Sequence, residues 1–161
     1  IATAVQGEGC DLFWPCKDHF SDKADSMRIR VTVPTGLSVA SNGVLKKIMP
    51  LKNNTTEFDW FLSEPASDYN IALNIGPFER IQQQYKSING TQVPVEFWAL
   101  PENSHKATML LNDDVYQQLA FFESVLGPYP WGMQKLGFVE AEYPEEMPMD
   151  GCVYMVKHYK S

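Results

Sequence analysis

The chain has 161 residues, enough for one ordinary domain or two small ones; 44% are hydrophobic and 12% aromatic, the composition of a protein that packs a core. A formal net charge of −7, spread along the sequence, argues against a nucleic-acid partner, and no stretch approaches the roughly 18 consecutive apolar residues of a membrane span. The first segment, QGEGCDLFWPCKDHFSDKAD at 6–25, follows neither the helical nor the strand period. Within it, Cys10 and Cys16 can pair only if the loop between them bends back, and buried free thiols are the favoured state; Cys152 lies far off. Compartment therefore stays open, periplasmic or secreted as well as cytoplasmic.

From residue 27 to about residue 100 the hydrophobic period is two: Met27, Ile29, Val31 and Val33 alternate with Arg28, Arg30 and Thr32 in a strand that ends at Pro34. Further strands are predicted at 37–41, 44–49, 57–62, 69–75, 78–85 and 93–100, divided by Asn42-Gly43, Asn53-Asn54, Gly76-Pro77 and Asn89-Gly90. The Asn-Gly pairs suit type I′ hairpins, and the spacing suits an antiparallel sheet or sandwich. After Pro101, Val115, Leu119, Phe122 and Leu126 recur at the helical period; Asn112 is the expected N-cap, Asp113 and Asp114 the first turn, and Gly127-Pro128 the stop, giving a helix over 113–126. Strands at 136–142 and 152–156 follow. The chain reads as mainly β over 1–100 and as the start of a second, α+β unit over 101–161.

The chemistry is sparse. His19, His105 and His158 stand far apart, with no His-Glu-x-x-His spacing to set two imidazoles on one helical face, so no metal site can be read. There is no phosphate-cradling glycine loop and no Gly-x-Ser-x-Gly turn. Glu140, Glu142, Glu145, Glu146 and Asp150 crowd between two predicted strands and could grip an ammonium group or a cation, or form a solvated acidic loop.

Taken in order, several short motifs carry more. Gln6-Gly7-Glu8, Phe13-Trp14-Pro15-Cys16-Lys17-Asp18, Ser21-Asp22-Lys23-Ala24, Ser41-Asn42-Gly43, Glu64-Pro65-Ala66-Ser67-Asp68-Tyr69, Gly76-Pro77-Phe78, Gly127-Pro128-Tyr129-Pro130 and Lys135-Leu136 follow one another along nearly the whole chain. In this order they resemble the zinc aminopeptidases of the aminopeptidase N and leukotriene hydrolase family. The resemblance implies a saddle-like antiparallel β domain followed by the first helix and strands of a thermolysin-like catalytic domain. Phe13, Trp14 and Cys16 would be packing residues, while Gln6 and Glu8 would reach the free amine of a peptide substrate. Glu8 is preferred, because a carboxylate gives an ammonium a charge-assisted hydrogen bond.

The acidic stretch falls where the family carries Gly-x-Met-Glu-Asn, a substrate-binding edge strand. Glu145, Glu146, Met147, Pro148 and Met149 align there, with Met147 as the motif methionine and Pro148 in the position of its glutamate. Proline neither accepts charge nor donates a backbone hydrogen bond, so Glu146 or Asp150 substitutes, or exopeptidase activity is altered. The family's zinc ligands and general base lie further downstream. The resemblance thus implies a fragment, inactive by itself, of an enzyme in which zinc activates water for attack on the scissile carbonyl. Its partners would be peptide substrates and the rest of the catalytic domain. With that remainder absent, the helix should expose an apolar patch open to self-association. The rival is a pseudo-peptidase or a non-catalytic recognition module, with Trp14, Trp60, Trp98 and Trp131 as its binding face; core placement is favoured for Trp60 and Trp98, which sit inside strand patterns.

Overall fold

The computed structural model describes residues 1, 2, 10–17, 19, 21 and 23–141, and the backbone of 153–156. The period-two segments are strands. β1 (Met27–Pro34) pairs antiparallel with β4 (Thr55–Leu62), which pairs antiparallel with β3 (Val44–Leu51), in the order β1-β4-β3. β2 (Ser38–Ser41) pairs antiparallel with β5 (Leu73–Gly76). β6 (Glu79–Lys86) and β7 (Gln92–Ala99) form an antiparallel hairpin, to which β8 (Leu136–Glu140) and β9 (Val153–Val156) add in parallel, in the order β6-β7-β8-β9. The fold is mainly β, with two antiparallel sheets and one mixed sheet among the described residues. Strands from both sides of Pro101 share the four-stranded sheet. Parallel β7 and β8 require a crossover, and the helical segment supplies it.

β7 organises the interior because both of its faces are covered. Val93, Val95, Phe97 and Ala99 face one cluster with Ala107, Leu111, Val115, Leu136 and Phe138. Trp98 turns the other way, into a cluster with Val33, Val39, Phe58, Trp60 and Val139. Trp60 and Trp98 are buried, with ring centroids 5.8 Å apart, which removes both from any exposed binding face.

Three expectations need correction. The helix does not begin at Asn112. A 3₁₀ turn at Pro101–Asn103 leads into α1 (Ser104–Leu110), a π-helical turn (Leu111–Val115) and α2 (Tyr116–Leu126). Ala107, Leu111, Val115, Leu119 and Glu123 lie four residues apart on the inner side. Four residues overshoot the 3.6-residue α turn, and the wider π turn takes up the overshoot, so one face stays buried. Asp113 and Asp114 therefore lie mid-helix rather than at an N-terminus. The helix ends at Gly127 as expected, with φ 91°.

The turns also differ. Both Asn53 (φ 67°) and Asn54 (φ 54°) take the positive φ that the central pair of a type I′ turn needs, whereas in the Asn-Gly pairs only Gly43 (φ 76°) and Gly90 (φ 86°) do. Finally, Cys10 and Cys16 form a disulfide with Cα atoms 6.2 Å apart, rather than staying free thiols. A 3₁₀ turn at Cys10–Leu12, with the Phe13 and Trp14 amides both donating to the Cys10 carbonyl, bends the loop back as pairing requires.

Candidate functional site

The residues expected to meet substrate, Gln6 and Glu8 on one segment and Glu145, Glu146, Met147, Pro148 and Met149 on another, lie outside the described residues, as do Glu142 and Asp150. The structure describes what holds the ends of those segments. Before Gln6, the Ile1 amine donates to the Ile75 carbonyl at 2.9 Å, the Ile75 amide donates to the Ile1 carbonyl at 2.8 Å, and Ala2 bridges Asn74, so the chain starts fastened to β5. After Glu8 comes Cys10, 1% exposed and tied to Cys16. The second segment leaves the carboxyl end of β8 and returns as the parallel strand β9, beyond β8 in the sheet. Connections at the carboxyl ends of parallel strands are where such sheets ordinarily bind ligands.

Glu140, the one described member of the acidic cluster, ends β8 and is occupied structurally. Its Oε2 accepts from the Leu100 amide at 2.8 Å and its Oε1 from the Asn103 side chain at 2.6 Å, closing the start of the helical crossover.

Two anchors whose partners the sequence does not reveal fix the crossover to the sheets. Glu123, 3% exposed, accepts from Tyr85 Oη (2.9 Å), Ser87 Oγ (2.5 Å), the Ile88 amide (3.0 Å) and the Tyr129 amide (2.7 Å). Burial alone would raise its carboxyl, but the bonds from Ser87, the Tyr129 and Ile88 amides and Tyr85 outweigh it and hold the group below the usual carboxylate range. Burial, with the bond to Glu123, pushes the Tyr85 hydroxyl up to about 12. The Gly127-Pro128-Tyr129 motif thus turns the chain so that the Tyr129 amide can reach Glu123.

The second anchor is Lys135. Its Nζ donates to the Ser41 carbonyl at 2.8 Å and the Gly43 carbonyl at 2.5 Å, and lies 4.5 Å from the centroid of the Trp60 ring. Ser41 and Asn42 hold the opposite side of that turn: Ser41 Oγ donates to the Ala72 carbonyl, Asn42 Nδ2 to the Asn70 carbonyl, and the Ala72 amide to Asn42 Oδ1. The Ser-Asn-Gly and Lys-Leu motifs are therefore one structural joint. Elsewhere Arg28 pairs with buried Asp59 across β1 and β4, and Arg80 with buried Glu96, whose other oxygen accepts from the Trp98 indole.

No zinc site fits the described residues. No three of their His, Cys, Asp and Glu side chains come together; His19 and His105 are exposed and apart, and Cys10 and Cys16 are consumed in their disulfide. No helix among the described residues is long and apolar enough to cross a membrane.

No protein-family model matches the chain. The transcription initiation factor TFIID subunit 2 of Gallus gallus is 27% identical over 137 residues, which is 83% of this chain but 11% of that protein. An M1 zinc metallopeptidase of Deinococcus radiodurans, solved with a Tyr-Ser-Ala substrate, superposes with a TM-score of 0.74 at 23% identity, over 89% of this chain and 32% of that one. Legionella pneumophila aminopeptidase A, solved with aspartic acid, gives 0.69 at 18% identity, over 83% of this chain and 16% of that one. At these identities the likeness is one of fold: this chain has the fold of the matching third of an M1 zinc metallopeptidase.

Proposed function

We propose that the chain is part of a zinc-dependent aminopeptidase related to the aminopeptidase N and leukotriene hydrolase enzymes, and that it contributes substrate-amine and backbone contacts rather than the metal site. The observation that carries this reading is the M1 fold, extending over 89% of the chain and joined to the ordered motifs. In it, residues 1–100 supply a saddle-like β domain and 101–161 the start of a catalytic domain, the two joined through the sheet that β7 and β8 share. Zinc would be held by residues outside this chain, which alone would be inactive. Gln6 and Glu8 would meet the substrate's amine, and Glu145 to Met149 its backbone, with Glu146 standing in for the carboxylate that Pro148 lacks.

The test is made on the whole protein that carries this chain, by zinc analysis and by cleavage of aminoacyl reporters with free and blocked amino termini. Glu8→Ala is expected to lower kcat/KM on free-amine reporters by about 10- to 100-fold, the worth of one hydrogen bond to a charged group, while blocked reporters stay poor in both proteins. A whole protein without zinc and without cleavage would instead support the second reading, a pseudo-peptidase. Two observations favour that alternative: Pro148 in the glutamate position, and a relative named as a transcription factor subunit.

The same reading covers the outer face of α2 with the rest of a catalytic domain. Phe122 is 52% and Leu126 78% exposed there, beside a groove of about 640 Å³ that Pro128 and Tyr129 also line. In the 161-residue chain taken alone, a second copy is the expected cover. Sedimentation should show pairing that Phe122→Glu abolishes; a monomer before substitution would contradict this.

A further inference from the structure

Both cysteines of the Cys10–Cys16 disulfide precede β1, so the crosslink ties no strand to another and spans a sequence separation of only 6. Crosslinks across loops this short constrain the unfolded chain least. The loop it closes is loosely packed. Asp11, Leu12 and Pro15 are exposed, Leu12 at 86%, and Phe13 and Trp14 are half-buried. Trp14 Nε1 is buried with no hydrogen-bond partner among the described residues, a cost that opening the loop to water would remove. A crosslink with so little to support in the folded state is better suited to exchange.

The two sulfurs are not equivalent. Cys10 is 1% exposed, whereas Cys16 is half-buried. An incoming thiolate needs a path to the sulfur it attacks, which Cys16 offers and Cys10 does not. Cys10 has what a released thiol needs: its Sγ lies 3.9 Å from the Lys17 carbonyl oxygen, an acceptor for a weak S–H donor.

We propose that the Cys10–Cys16 disulfide is a thiol-exchange site, at which a small aliphatic thiol modifies Cys16 in the folded protein. The thiolate attacks Cys16 Sγ, the bond between the two cysteine sulfurs breaks, and a new disulfide joins the thiol to Cys16. Cys10 leaves with the electron pair and takes up a proton from water. A second thiolate attacks the sulfur of the bound thiol and displaces Cys16, so that both cysteines end reduced and the two small thiols end joined as their own disulfide. Residues 10–17 give way while the sheets stay folded. Nothing in this depends on the aminopeptidase reading, so the two stand or fall separately.

The experiment treats the whole protein that carries this chain with 2-mercaptoethanol under native conditions, blocks free thiols with iodoacetamide, and sequences the tryptic peptide ending at Lys17 by tandem mass spectrometry. The mercaptoethanol adduct is expected on Cys16 and the carbamidomethyl group on Cys10, in about tenfold excess or more over the reverse. Dithiothreitol should leave both cysteines open to alkylation with the circular dichroism unchanged. Hydrogen exchange should then quicken in residues 10–17 but not in β1 or β4. Single variants give the second measurement: Cys16 in Cys10→Ser should take iodoacetamide about tenfold faster or more than Cys10 in Cys16→Ser. Where Cys10→Ser fails to fold, the position of the adduct on the parent protein still decides. Reduction only under conditions that also unfold β1 and β4 would mean a structural crosslink and would overturn the proposal. So would an adduct on Cys10, equal labelling of the two cysteines, or unchanged hydrogen exchange in 10–17.

Discussion

Glu123→Ala should cost about 4 kcal/mol of folding stability, because it removes one acceptor from four donors at once. Tyr85, Ser87 and the Ile88 and Tyr129 amides all end on this carboxylate, which is itself 3% exposed. The two hydroxyls can turn elsewhere; the two amides cannot. Glu123→Gln keeps the volume and one oxygen, but its amide group faces donors, so about half the loss should remain. Unfolding measured against pH separates the carboxylate from simple packing. The folded group sits below its ordinary 4.5, so the stability it contributes is present above that value and is lost as pH falls through the lower, folded value. That acid-side loss should vanish in Glu123→Gln. Tyr85 behaves oppositely: raised to about 12, its contribution is present below its ordinary 10.0 and fades as pH climbs from there through about 12. Burial is the larger cause of that shift, so the alkaline loss should persist in the variant. An unchanged acid side in Glu123→Gln would show that the carboxylate is not the acceptor that matters.

This anchor also marks where sequence reading stopped. Strand β1 was legible because alternation is local: Ile29, Val31 and Val33 face inward whatever the rest of the chain does; β2 to β4, β6 and β7 were legible as β-rich runs between turn signals. Trp60 and Trp98 were legible for the same reason. The segment at 69–75 was only half legible, since residues 68–70 turn in a 3₁₀ helix held by the Asn42 side chain, a contact across the chain that no local pattern records. The helix start was missed because Asn112-Asp113-Asp114 looks like a cap, while the buried stripe beginning at Ala107 follows a spacing of four that only a π turn can carry. The disulfide depended on a turn within 10–14 that has no periodic signature. As for the site, the family resemblance drew attention to Gly127-Pro128-Tyr129 and Lys135, but their function in the fold, reaching Glu123 and the 41–43 turn, is fixed by partners distant in sequence.

Gly43 carries the other large expected effect, since Gly43→Ala should cost about 3 kcal/mol. Its φ of 76° strains any L side chain, and the added Cβ would lie 2.3 Å from the Phe61 carbonyl oxygen, 2.5 Å from the Phe61 carbonyl carbon and 2.6 Å from the Leu62 nitrogen. All three are backbone atoms of or beside β4, so no side chain can rotate away and the turn itself must move. Moving it pulls the Ser41 and Gly43 carbonyls from Lys135 Nζ, and with them the tie between the 41–43 turn and the residues that open β8. Gly36 is the control. Its φ is 98°, yet an added Cβ meets nothing within 4 Å, so Gly36→Ala should show the strain of about 1 kcal/mol without the displacement. Lys135→Met then tests the route. In the parent it should lose the two carbonyl bonds and part of the contact with Trp60; in the Gly43→Ala background it should cost markedly less, because the bonds are already broken. Additive losses, or a Gly43→Ala cost no larger than that of Gly36→Ala, would show that the close approach to Phe61 is not what glycine serves at this turn.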